Sequence, residues 1–313
     1  VGVKKDTTAG AGGIVVDVDR LFEAQETSWA DLARGLDGLR RARERTFDIG
    51  GFPIVARHLP HRIGSTTASV DAAAVSARLC FLCPANRPEE QKGISAGPDF
   101  EIFCNPFPIL ERHVTIVCRE HVPQRLDART PSGGIRRMLE IARTLPGFMV
   151  LYNGPASGAS APDHMHFQAA LADGVPVFDP DLAVDGGVIA SYPGSVIVID
   201  GDELESAVRR FNRAMSLLPA PPEIPEAMIN VAVVFTGGEW RVRLFGRARH
   251  RPGVFERGEF TWSPGAIDMC GVVVLPVPGD LERLTPDVIA RTYREVSIPA
   301  DSAREIAAQM ETP

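Results

Sequence analysis

Two stretches of this 313-residue chain run through the same order of local patterns, and that repetition constrains the fold more than any single motif. In the first, residues 100–119 hold two apolar β-prone runs around a proline-containing turn. A helix over 133–145, "GGIRRMLEIARTL", a strand over 148–153, "FMVLYN", a Gly/Ser/Pro-rich loop and a strand through "HMHFQAALA" follow. In the second, "GGVIASYP" and "SVIVID" read as strands and residues 202–218 as a helix with Asp202 near its cap. "AMINVAVVFTGGEWRVRLFG" then reads as a hairpin turning at Gly237 and Gly238. The period is too long for a solenoid. It predicts an α+β protein: two copies of one unit, antiparallel strands with flanking helices, sharing a sheet or packed side by side.

Ahead of the repeat, residues 16–46 carry apolar positions at helical spacing, with Ser28 as N-cap of a second segment. After Gly50 and Gly51, "FPIVARHLPHRIGSTTASV" reads as a strand and loop. The proline-rich "LPAPPEIPEAM" falls inside the second copy and reads as a surface connection. The expected organisation is a helical lead-in over 1–50, a first half over 51–175 and a second half over 176–313.

With 44% hydrophobic and 23% charged residues, the chain has the profile of a globular protein. A net charge of -7 argues against a nucleic-acid binder held by a basic footprint, and leaves free nucleotides open. No run reaches the roughly 18 apolar residues of a membrane helix, and the N-terminus lacks a secretory h-region, so the expected setting is cytoplasmic. Five cysteines in a long chain do not suggest a disulfide framework.

Of seven histidines, His164 and His166 stand one residue apart in "DHMHFQ". On a strand, His164, His166 and Gln168 share one face while Met165 and Phe167 pack on the other. Surface residues of an edge strand would read the same way. The loop before them, "NGPASGAS", offers small residues around Gly158 whose N–H groups can approach an anion, with the Ser157 and Ser160 hydroxyls as further donors. A nucleophile beside an anion cradle suggests phosphorus chemistry.

Cys80 and Cys83 form a CxxC, a spacing shared by redox pairs and half of a tetrahedral zinc site. His121 and His164 are the candidates to complete a Cys2His2 set; two unligated thiols are the alternative. Cys104, Cys118 and Cys270 lie in apolar runs and read as core.

Together these features resemble the histidine-triad superfamily, in the branch of galactose-1-phosphate uridylyltransferase, diadenosine tetraphosphate phosphorylase and the GDP-hexose phosphorylases. The resemblance rests on "PHR" at 60–62, "CFLC" at 80–83, Asn105 eight residues before His113, "REH" ending at His121, and "SGASAPDHMHFQ". It covers roughly residues 60–170, and more loosely the second half. It implies that His166 attacks the α-phosphorus of a nucleotide to form a nucleotidyl-histidine, with Gln168 bonded to a non-bridging phosphoryl oxygen. It further implies that Arg62, Asn153, Ser157 and Ser160 hold phosphates, that Asn105 meets the ribose hydroxyls, and that Cys80, Cys83, His121 and His164 bind Zn2+. Substrates would be a nucleotide or nucleotide-sugar and orthophosphate, and the lead-in helices would be free to serve a homodimer contact.

The chain departs from that pattern in two places. Met165 stands where uridylyltransferases have proline, and Asp163 precedes the pair where diadenosine phosphorylases differ. The second half has no HxH, so it reads as a degenerate copy that lends Arg241, Arg243, Arg247 or Arg249 to phosphates, or simply solvates them. A hydrolase of the same superfamily, disfavoured by glutamine at 168, and a non-catalytic zinc- and nucleotide-binding protein are the competing readings.

Overall fold

A computed structural model describes residues 11–68, 72–126, 134–220 and 226–311. Helices Ala11–Ser28 and Ala30–Arg40 lead into a hairpin of β1 (Arg43–Ile49) and β2 (Phe52–His58). The helical reading therefore ends six residues before Thr46. Gly50 and Gly51, at φ 64° and 89°, close a two-residue turn that puts Arg43–Ile49 in seven-residue register with β2. Ser28 is not an N-cap: its hydroxyl donates to the Ala24 carbonyl, and Trp29 and Ala33 carry the helical hydrogen bonds on with barely a break.

The first half continues with β3 (Gly93–Ser95), β4 (Phe100–Cys104), β5 (Val114–Cys118), helix Gly134–Thr144, β6 (Phe148–Asn153) and β7 (His166–Leu171). The second runs β8 (Val184–Asp185), β9 (Val188–Ile189), β10 (Ile197–Gly201), helix Leu204–Leu217, β11 (Ile229–Thr236) and β12 (Glu239–Gly246). These ten strands form one antiparallel sheet in the order β3-β4-β5-β7-β6-β11-β12-β10-β9-β8, so the two halves present the same strand order and meet at β6 and β11. A single sheet therefore runs through both halves. β13 (Val272–Leu275) adds in parallel to β2, making a separate three-stranded sheet.

The central strands are buried on both faces, which is why they read as unbroken apolar runs. Along β6, Val150 and Tyr152 join the core beneath the two long helices, while Met149 and Leu151 join a second core under the small sheet. Elements differ from expectation where proline or capping intervenes. The "GGVIASYP" strand shrinks to Val188–Ile189 ahead of Pro193, which has no N–H for a longer ladder. Glu203 occupies the N-cap of helix Leu204–Leu217, without a side-chain bond, and Asp202 stands next to it, near the cap as expected. The Gly237–Gly238 hairpin forms as expected, both residues at positive φ. Part of the "LPAPPEIPEAM" connection, 221–225, lies outside the described residues. No described helix is long and apolar enough to cross a membrane.

Candidate active site

β7 lies between β5 and β6, with His166 opposite Val117 and Gln168 opposite Thr115. Phe167 and Ala169 point into the helix-side core, so His166 and Gln168 face the other way, into a cavity of about 660 Å³. That size suits a small-molecule ligand. The pleat does not extend back to His164 as expected. Met165 donates to Val122 and His164 to Ala161, so the ladder starts at His166 and the His164 ring turns toward the cysteines instead.

His166 is held from both sides. Its main-chain N–H donates to Gln124 Oε1 at 2.8 Å, and Gln124 Nε2 donates to the carbonyls of His166 and Asn153, tying β7 to the end of β6. Its ring Nδ1 lies 2.8 Å from the His164 carbonyl. A carbonyl only accepts, so Nδ1 carries the proton and Nε2 keeps a lone pair. Burial pushes the His166 pKa down to about 4, outweighing the favourable bond to His164, so the ring is neutral at pH 7.

Gln168 is set by a second histidine, used above only as a spacing mark. His113 is fully buried, and its Nδ1 accepts from the Ile109 N–H at 3.1 Å. Nε2 must then carry the proton, which it donates to Gln168 Oε1 at 2.8 Å. With its oxygen occupied, Gln168 turns its NH2 group away from His113. Burial pushes the His113 pKa down to about 3, so this tautomer persists across the neutral range.

The loop after β6 meets the cavity through Asn153, Gly158 and Ser160, but not through Ser157, which is fully buried with its hydroxyl unpartnered. The expected cradle of N–H groups is also smaller, because those of Ser157 and Ala159 both donate to the Gly154 carbonyl. At Gly158, φ is +98° and a Cβ would lie 3.4 Å from His250 Nε2, so glycine serves both the turn and the close approach.

Arg62 and Asn105 line the cavity as expected. Arg62 donates to the Phe107 carbonyl, and burial lowers its pKa to about 10. Among the described lining residues are three arginines the motifs did not single out, Arg78, Arg87 and Arg251, against the carboxylates of Asp31 and Asp268. In a chain of net charge -7 this is a locally cationic wall. Arg78 Nη2 bonds the Ser160 carbonyl at 2.9 Å, joining the CxxC segment to the loop. Phe81, Leu82, Phe103 and Phe107 give another part of the cavity an apolar lining. Two arginines flanking "LCFLCPAN" were the available signal for Arg78 and Arg87.

The four arginines expected from the second half do not reach the cavity. Arg243 pairs with Asp200 at 2.6 Å, Arg249 with Glu295 and Glu256, Arg241 lies on β12 outside the lining, and Arg247 is buried behind it. Carbonyl and carboxylate partners within the second half hold Arg243, Arg247 and Arg249 there. His250 and Arg251, just beyond, enter the lining instead.

Cys80, Cys83, His121 and His164 converge, their donor atoms all within 4.8 Å of one another. His164 Nδ1 lies 3.3 Å from Cys80 Sγ and 3.6 Å from Cys83 Sγ, and His121 Nδ1 3.2 Å from Cys83 Sγ. A tetrahedral metal with bonds of about 2.0–2.3 Å needs separations of roughly this size. His164 Nε2 donates to the Cys118 carbonyl at 2.8 Å, leaving Nδ1 as the ligating atom, the arrangement in which an outer partner fixes a metal-bound imidazole. The cluster could hold a metal. Cys104, Cys118 and Cys270 are buried and free, as expected of core residues.

The ten-stranded sheet of two like-ordered halves, with a buried neutral histidine on β7, is similar in fold to structures already solved. Its solved neighbours include the Ap4A phosphorylase Apa2 of yeast. Structures of that enzyme alone, with AMP and with Ap4A match this chain with TM-scores of 0.60, 0.59 and 0.57 at 16%, 17% and 15% identity. Each match covers 90% of this chain and 98%, 97% and 98% of the other. Residues 21–171 match the family described as "Domain of unknown function (DUF4922)". No curated protein matches the sequence.

Proposed function

We propose that this chain is a nucleotidyltransferase of the phosphorylase type, cleaving a nucleoside diphosphate-sugar or a dinucleoside polyphosphate through a nucleotidyl-histidine on His166. One observation carries the reading: the His166 tautomer, with Nδ1–H on the His164 carbonyl and an unprotonated Nε2 on the strand face that lines a cationic cavity. In the first displacement the Nε2 lone pair bonds the α-phosphorus. The bond from that phosphorus to its bridging oxygen breaks, and the sugar 1-phosphate or the remaining nucleotide departs with the electron pair. Nδ1–H stays on the His164 carbonyl, which stabilises the cationic imidazole. The Gln168 NH2 group meets the non-bridging oxygens as charge builds on them. In the second displacement an orthophosphate oxygen attacks the same phosphorus, the N–P bond breaks, and a nucleoside diphosphate leaves.

Arg62, Arg78 and Arg87 suit the phosphates, Asn105 the ribose hydroxyls, and the apolar part of the lining a base. Asn153, Gly158 and Ser160 complete the phosphate side. Cys80, Cys83, His121 and His164 would hold Zn2+, which supplies a structural tie between the CxxC segment and the start of β7. The kinship of fold with a phosphorylase whose solved complexes contain AMP and Ap4A supports the same reading.

The test is turnover of a panel of nucleoside diphosphate-sugars and dinucleoside polyphosphates, with and without orthophosphate. Turnover that requires orthophosphate supports the proposal. Equal turnover in water alone would make the chain a hydrolase, and binding without product would leave it a nucleotide-binding protein.

A further inference from the structure

Arg247, on the second half of the chain, is buried and makes five donor contacts, none to a carboxylate. Nε donates to the Val296 carbonyl, Nη1 to Asn230 Oδ1 and to the Pro264 carbonyl at 3.0 Å, and Nη2 to the carbonyls of Arg249 and His250. A guanidinium has five N–H donors, and here all five are used on neutral acceptors. A cation buried this way holds four separate chain segments together.

The consequence falls on Asn230, which is fully buried on β11. A guanidinium only donates, so the Asn230 atom facing it is oxygen. The other end then presents NH2, which donates to Asn153 Oδ1 and to the Ser157 carbonyl, both at 2.8 Å. Asn153 Oδ1 also accepts from the Ala266 N–H at 2.8 Å. Ala266 lies two residues past the Pro264 carbonyl that Arg247 holds, and Gly265 N–H between them is fixed on Asp268 Oδ2. Both donors to Asn153 are therefore placed from the Arg247 side. With its oxygen occupied twice, Asn153 has its NH2 group left for the cavity it lines.

We propose that Arg247 is a positioning residue. Through the Asn230 amide and the Pro264 carbonyl it fixes the polarity of Asn153, so that the phosphate side of the cavity meets an N–H donor rather than an amide oxygen. Through Arg247 the second half thus contributes to anion recognition by a charge that does not itself line the cavity. This rests on the nucleotide reading of the cavity only for the identity of the anion.

The orientation is read without ligand. In proton–nitrogen spectra of the whole protein, with the pairs assigned by their loss in Asn230→Leu and Asn153→Ala, the Asn230 NH2 should be protected from solvent exchange and the Asn153 NH2 should exchange. The reverse pattern overturns the relay. Asn230→Asp still accepts from Arg247 but has no donor. Its carboxylate draws the Asn153 NH2 toward itself, because a bond to a charged acceptor outweighs the neutral bond from Ala266. The Asn153 pair should then become protected, and unchanged exchange in a folded variant overturns the proposal.

Calorimetry with AMP, GMP, UMP, CMP and inorganic pyrophosphate supplies the binding arm. Asn230→Asp and Arg247→Met should each weaken the best-bound probe about tenfold, the loss of one bond to a charged group. In an Asn153→Ala background each should cost less than twofold. A loss that persists there would assign the effect to general packing and refute the positioning role, as would wild-type affinity in a folded Arg247→Met. If the wild type binds none of the probes while the amide pattern holds, the nucleotide reading fails and the relay stands.

Discussion

The two halves of the large sheet share a strand order yet differ in what their central strands face. On β7 the outward pair is His166 and Gln168, and an open cavity lies over it. On β12, which holds the same place between β10 and β11, the corresponding face carries Arg241 and Arg243. Arg243 is nearly buried, bonded to Asp200 Oδ1 and the Val177 carbonyl, with the Phe178 ring 5.4 Å from its guanidinium. The turn Pro176–Phe178 closes over that face. One strand order therefore yields an open cavity where the covering segments stand off and a sealed ion pair where they pack down. Topology places a face; the side chains and their cover decide its chemistry.

Substitution at the two faces should separate sharply. His166→Ala should lower turnover by on the order of 10⁴-fold or more, since it removes the bonding atom itself, with the circular dichroism spectrum unchanged. Loss of a single orienting donor in Gln168→Ala should cost about 10²–10³-fold in kcat, with a much smaller change in KM. On the sealed face, Arg243→Gln should leave kcat/KM within about twofold and instead lower stability by about 2 kcal/mol in denaturant unfolding, a value reduced for the partial exposure of Asp200. A large kinetic defect in Arg243→Gln would break the comparison.

Metal removal sharpens it from another side. Purified protein should carry close to one zinc per chain, lost in Cys83→Ser together with several degrees of melting temperature. A metal-free protein that melts like the wild type would sink the structural tie at the start of β7.

The remaining effect is on pH. His113, His166 and His250 have folded pKa values pushed down by burial to about 3, 4 and 4, against 6.5 when unfolded. Below pH 6.5 the unfolded chain therefore takes up protons that the folded chain refuses. Their joint contribution makes stability fall as pH drops from 6.5 toward 4, and leaves it level above 6.5. His113→Leu should flatten part of that acid limb in melting experiments from pH 4 to 8. A limb unchanged by that substitution would contradict the assignment of a neutral His113.

Much of the reactive face is legible in the sequence because its determinants are close together. HMHFQ fixes the His166 and Gln168 alternation within three residues, and CFLC brings its thiols together by spacing alone. What is not legible depends on contacts made across the sheet. Nothing near residue 113 says that its ring will set the Gln168 amide, and nothing near Asn230 says that it will face Asn153 from the neighbouring strand. Ser157 illustrates the opposite failure. Its hydroxyl looked like a phosphate donor beside Ser160, but the Gly154 carbonyl folds the loop so that one serine faces the cavity and the other is buried. Arg243 of β12 misled for a similar reason: its charge suggested solvent or phosphate, while Asp200 on β10 lay within reach of it.

The central claim is that the Nε2 lone pair of His166 makes a covalent bond to phosphorus. It is tested most directly by intact-mass measurement after mixing the protein with nucleoside diphosphate-sugars or dinucleoside polyphosphates in orthophosphate-free buffer. The account predicts a gain equal to one nucleoside monophosphoryl group, located on His166, absent in His166→Ala and discharged by added orthophosphate. Product formation at a normal rate by His166→Ala, or an adduct on any other residue, would contradict it.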